Sequence, residues 1–166
     1  MTFRVGGFTI CQLFFSINEG DYFMNEKLIL SLDLINCKLG YILASLASFT
    51  SLDLSKGINE IHQHIELINK SIKDNKEYVD IRNVINLREN LKKLKTRLTS
   101  EEEVSLKGHR IACLLFEVAT LLKLAILDFD QSYEDMIEYL SLSSEYCYLS
   151  GRIVNIEILC FEEKRK

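Results

Sequence analysis

The chain has 166 residues, of which 48% are hydrophobic and 27% charged, with a formal charge of −4 and no proline. A chain of this length forms one domain that buries roughly 70% of its unfolded surface, so neither disulfides nor a metal is required for stability. The composition excludes a disordered chain, and the negative balance argues against general affinity for nucleic acid or anionic lipid, both of which reward basic surfaces.

The first stretch, Val5 to Ile17, is apolar but too short to span a bilayer. Arg4 is its only basic flank, and no small-residue cleavage site precedes Asn18, so a signal peptide fits poorly. Residues 1–23 are therefore expected as an N-terminal extension ahead of Met24 or as a packed arm, with a short strand or hairpin at Gly6-Gly7 as one form of it. Residues 24–161 are expected as the helical bundle, and 162–166 as a charged tail.

The bundle is written in the apolar spacing. Leu28, Leu32, Ile35, Leu39, Ile42, Leu46 and Phe49 recur at helical steps, which predicts a first helix from about Asn25 to Phe49. Gly40, Ala44 and Ser48 make a small-residue stripe on it, suited to close approach of another backbone. Asp33, Asn36 and Lys38 make a buried soluble helix the expectation here rather than a membrane span. Ile58, Ile61, Ile65, Ile68 and Ile72 predict a second helix over about Lys56 to Lys73. After a turn at Asp74-Asn75, Val84, Leu87, Leu91, Leu94 and Leu98 predict a third, from about Lys76 to Leu98. The second and third helices are expected to form a hairpin whose stripes face each other.

Ser100 with Glu103 matches a capping box, and three glutamates there suit the positive end of a helix dipole. A fourth helix is expected from that box to about Leu127, bent at Gly108, with Ile111 to Leu127 as the most buried segment. Ser132 with Asp135 opens a fifth helix to about Cys160. The fold class is thus all-α, a single-domain antiparallel bundle of about five helices.

Chemistry-bearing residues are sparse. The five cysteines are far apart with no C-x-x-C pair, so neither a zinc site nor a disulfide framework is expected, and the compartment reads as reducing cytoplasm. His62 and His64 point away from each other on a helix and suit local pairs, His62 with Glu66 and His64 with Glu60. No arginine stands a turn or two ahead of any of the three histidines, as helical ribonucleases of the HEPN type require, and phosphate loops and nucleophile elbows are missing. No cofactor, metal or catalytic residue is expected, although His109, Glu117 and Asp128 could assemble a dispersed enzyme site.

Two charged faces remain. Arg88, Lys92 and Lys95 share one face of the third helix and could meet phosphates, although no aromatic is interleaved to stack on bases. From Leu124 to Gly151 there is no lysine or arginine, while Asp135, Glu138 and Glu145 accompany Tyr139 and Tyr146 along one side of the last helix. The opposite side, with Met136, Leu140, Ser144, Cys147, Gly151 and Val154, suits close packing, and Leu142, Leu149 and Ile153 fall near the tyrosines.

Tyrosines among carboxylates are suited to docking a basic protein. The leading expectation is a non-enzymatic cytosolic protein-binding module, such as an inhibitor, immunity protein, adaptor or effector chaperone, that uses Tyr139, Tyr146, Asp135, Glu138 and Glu145. A nucleic-acid-associated subunit using Arg88, Lys92 and Lys95 is the alternative. No membrane span is expected, and the long stripes leave room for a homo-oligomer.

Overall fold

Each apolar stripe in the sequence becomes the buried face of one helix. In the computed structural model these are α1 (Ile10–Leu46), α2 (Leu52–Asp74), α3 (Ile81–Arg97), α4 (Arg110–Ile126) and α5 (Glu134–Glu163). The structure describes residues 10–46, 52–74, 80–98, 108–130 and 132–163, with side chains for 26–46, 54–74, 80–98, 108–130 and 132–157. Among the described residues there is no strand, and the all-α bundle stands as expected. The Gly6-Gly7 hairpin, Phe49, Ser48, the Ser100–Glu103 box and residues 164–166 lie outside the described residues.

Leu32, Ile35, Leu39 and Ile42 of α1, Ile58, Ile61, Ile65 and Ile68 of α2, and Leu115, Val118 and Leu122 of α4 are fully buried. Each such side chain contributes roughly 1.5–3 kcal/mol of hydrophobic free energy, which offsets the ordering entropy of the chain. Helices α1, α2, α5 and α4 close a ring, and α3 sits outside it against α5. Neighbours around the ring run antiparallel. Asp33 of α1 meets Asn69 of α2, and Gly40 lies beside His62. Lys38 pairs with Glu117 at 2.9 Å, and Lys27 with Asp128 at 2.8 Å, so α1 and α4 run in opposite senses.

Segment Glu26–Leu46 is long and apolar enough, by length and composition, to cross a membrane. Its polar residues Asp33 and Lys38 are nonetheless engaged by α2 and α4.

Four details depart from the sequence expectations. Helix α1 begins at Ile10 rather than near Asn25, so residues 10–23 are a continuation of the first helix. Helix α4 begins at Arg110, not near Ser100. His109 is extended (φ −61, ψ 143), its ring Nδ1 accepts from the Ile111 N–H at 3.3 Å, and its own N–H donates to Asn155 Oδ1 at 3.0 Å. This capping starts the helix where a bend was expected. The Gly40–Ala44 stripe does not receive a backbone: a Cβ at Gly40 would meet only the His62 ring, at 3.6 Å, and Ala44 is exposed. Finally, the α2 and α3 stripes do not face each other. The α2 isoleucines pack on α1, the α3 leucines pack on α5, and α2 and α3 do not pack together.

Among the described residues the most extensive helix contact is between α4 and α5. Ser144 Oγ donates to Ala119 O at 2.7 Å, and Gly151 lies against Phe116. A Cβ at Gly151 would come within 2.7 Å of Phe116 Cε1 and 3.1 Å of the Ala112 carbonyl. Gly151→Ala is therefore expected to destabilise by about 1–2 kcal/mol in urea unfolding, against its gain in helix propensity. A stability equal to or above wild type would show that the two helices do not approach this closely.

A polar cleft between two helices that do not pack

Because α2 is committed to α1 and α3 to α5, the space between α2 and α3 stays open. It is a cleft of about 680 Å³ with α5 as its floor. Lys56, Gly57, Glu60 and His64 line the α2 wall, and Asn83, Asn86, Asn90, Lys93 and Arg97 the α3 wall. The walls recur at helical steps of three and four, so each is one polar stripe beside an apolar one.

The floor is made by the two tyrosines that sequence reasoning assigned to a surface. Tyr139 and Tyr146 are 1% and 2% exposed, so neither ring is available on the outer face of α5. Their burial follows from the apolar flank noted above, since Leu149 and Ile153 are buried beside them and Leu142 is partly so. The exposed tyrosines among the described residues are Tyr41, Tyr133 and Tyr148.

A buried phenol requires a partner for its hydroxyl. For Tyr139 this is the Nδ1 of His64, at 2.7 Å, with the rings edge-on at a centroid distance of 5.1 Å. Burial raises the Tyr139 hydroxyl far above its ordinary pKa and keeps it protonated. Burial also lowers the pKa of His64, opposed by the nearby Glu60 and by a hydrogen bond with Asn83. His64 thus ties α2 to both α5 and α3, instead of forming only the local Glu60 pair expected. A second, longer bridge crosses the cleft, from Asn90 Nδ2 to Glu60 Oε2 at 3.4 Å.

Most of the carboxylates expected to face a partner face α3 instead. Arg88 pairs with Glu138, Lys95 with Glu145 at 2.7 Å, and Arg97 with Glu157 at 3.0 Å. The first two pairs advance together along both helices, so α3 runs parallel to α5. The candidate acidic and basic faces therefore neutralise each other within one chain. Of Arg88, Lys92 and Lys95, only Lys92 has no ion-pair partner among the described residues. Asp135 lies in the first turn of α5, where a carboxylate favours the helix dipole.

The dispersed enzyme site is not assembled. His109 caps the start of α4 and Asp128 follows its end, about 25 Å apart along the axis. Glu117 and Asp128 are each held by a lysine of α1. Among the described residues no cluster of three or more potential metal ligands occurs. The Cys147 thiol is buried, which pushes its pKa up to about 12 and leaves it unreactive.

The sequence carried the signal for the cleft. Asn83, Asn86, Asn90, Lys93 and Arg97 form a stripe at helical spacing, and Lys56, Glu60 and His64 form another. Both pass for solvated faces until the isoleucine and leucine stripes are assigned to different neighbours.

Two outcomes follow from this geometry. A Cβ at Gly57 would collide with the hydroxyl and ring of Tyr146. Gly57→Ala is expected to cost about 2 kcal/mol, and in a Tyr146→Ala background that cost should largely vanish. Additive costs would mean that the two residues do not touch.

His64 protonates less readily folded than unfolded, so the folded state binds fewer protons once the pH falls below the ordinary value of 6.5. Stability is full above that pH, declines as the pH drops through it, and levels off below the folded pKa. Urea midpoints measured from about pH 7.5 to about pH 5 should show this decline, and His64→Gln should flatten it. Identical slopes in the two proteins would contradict the buried His64–Tyr139 contact.

No family model matches the chain, and no curated protein is significantly similar to it in sequence.

Proposed function

We propose that this chain is a non-enzymatic protein-binding module that receives its partner in the cleft between α2 and α3. The carrying observation is the cleft itself, about 680 Å³, with walls rich in asparagine amides and charged groups beside an apolar part made by Leu87, Leu94, Tyr139 and Tyr146. Sites for small organic ligands are predominantly apolar with a few polar groups. A wall of asparagine amides and carboxylates suits a polypeptide main chain better, because each amide offers both a donor and an acceptor.

Catalysis is disfavoured by the same residues. The His64 ring and the Tyr139 hydroxyl are spent on each other, and the Tyr139 proton is held tightly. The nucleic-acid alternative has lost two of its three cations to Glu138 and Glu145. Cys37, Cys113 and Cys147 are not joined to one another in disulfides, and the class of role proposed is a cytosolic inhibitor, immunity protein, adaptor or effector chaperone.

A photo-crosslinking residue tests the location directly. Placed at Asn86 in the cleft wall, it is expected to give a discrete protein adduct in host extract. Placed at Ser141, exposed on the outer side of α5, it should give none. Adducts at Ser141 alone, or at neither position, would contradict the proposal.

A further inference from the structure

The cleft is not uniform along its length, and its polarity narrows what can enter. Lys56, Lys93 and Arg97 gather at one end, above Tyr146 and beside Gly57. Farther along lie Glu60, Glu89, Asn90 and Asn86, and at the far end His64 and Asn83. Arg97 already holds Glu157, whereas among the described residues neither Lys56 nor Lys93 has an ion-pair partner. Cations gathered at one end of a confined slot repel one another, and a bound anion would relieve that repulsion.

We propose that the Lys56–Lys93–Arg97 end is an anion subsite that takes a carboxylate of an extended peptide segment from the partner. This rests on the protein-binding reading of the cleft and specifies the chemistry of its ligand. Ammonium and guanidinium groups form charge-assisted hydrogen bonds to a carboxylate. Behind it, Glu60 can accept main-chain N–H groups, and the Asn86 and Asn90 amides can pair with main-chain carbonyls and amides. The Asn90–Glu60 bridge of 3.4 Å is at the long limit of a hydrogen bond, so a peptide can replace it at little cost.

Charge selects a carboxylate over a phosphate. Glu60 and Glu89 line the same cleft and would oppose a dianion, while a single negative charge followed by N–H donors matches the sequence of cations and then acceptors. From Lys56 to His64 the α2 wall runs about 12 Å, room for roughly three or four residues of extended chain.

Pools of random-sequence hexapeptides without Asp or Glu supply the test, one pool with free carboxyl termini and one amidated. A third, amidated pool carries a single Asp at its last position. Binding is followed by amide chemical-shift changes at Gly57 and Asn86. The free-acid or the Asp-bearing pool is expected to half-saturate at a concentration about tenfold lower than the amidated pool. Which of the two does so distinguishes a terminal from a side-chain carboxylate. A Lys56→Ala/Lys93→Ala variant, with its thermal unfolding unchanged, should lose the difference.

Equal binding of all three pools in the cleft would overturn the anion subsite and leave the peptide-binding reading standing. No binding by any pool would overturn both. Displacement by inorganic phosphate, without displacement by acetate at the same concentration, would reassign the subsite to phosphate and overturn the carboxylate.

Discussion

Helix α5 is the element on which α2, α3 and α4 all bear, and its need to bury two flanks organises the rest of the molecule. One flank is made of small residues, Ser144, Cys147 and Gly151, which let α4 approach closely. The other carries Tyr139 and Tyr146, too large for such an approach, and these hold α2 off at the reach of a tyrosine ring. Small residues on one side and tyrosines on the other thus set two different interhelix spacings. The glutamates beside the tyrosines then select α3 as the third neighbour through Arg88, Lys95 and Arg97.

Exposed ion pairs of this kind contribute little stability, about 0–1 kcal/mol each. Their consequence here is orientation. The leucine stripe of Val84, Leu87, Leu91 and Leu94 supplies the burial, and the ion pairs favour the parallel register along α5. With α3 held there and α2 held on α1, the two helices meet only through side chains. His64 and Asn83, and Glu60 and Asn90, span the gap. The cleft is therefore a by-product of where two apolar stripes find their partners, and its polar walls are the faces that neither stripe claimed.

The five helices were legible because periodicity is a local property. Nearly every stripe residue among the described positions is buried, from Leu28 on α1 to Ala125 on α4. Pairing was not legible, since an isoleucine stripe carries no address: the α2 stripe serves α1 as well as it would have served α3. Tyr139 and Tyr146 were visible as a pair, but a tyrosine among carboxylates reads as a hot spot or as a core ring, depending on which helix lies over it. The charge complementarity of Arg88 with Glu138 and of Lys95 with Glu145 joins segments far apart in sequence, so each face alone resembled a docking surface. The start of α4 was missed for a related reason, because the Asn155 side chain that receives the His109 N–H comes from another helix.

Zero-length carbodiimide coupling, which joins only amines and carboxylates already in contact, reports on the placement of α3 most directly. With α3 parallel to α5, Lys95 and Glu145 at 2.7 Å should become linked by an amide bond, identified as one crosslinked peptide by mass spectrometry. Lysines of α3 joined instead to carboxylates of α2, with no Lys95–Glu145 product, would show that α2 and α3 close on each other and that the cleft does not exist.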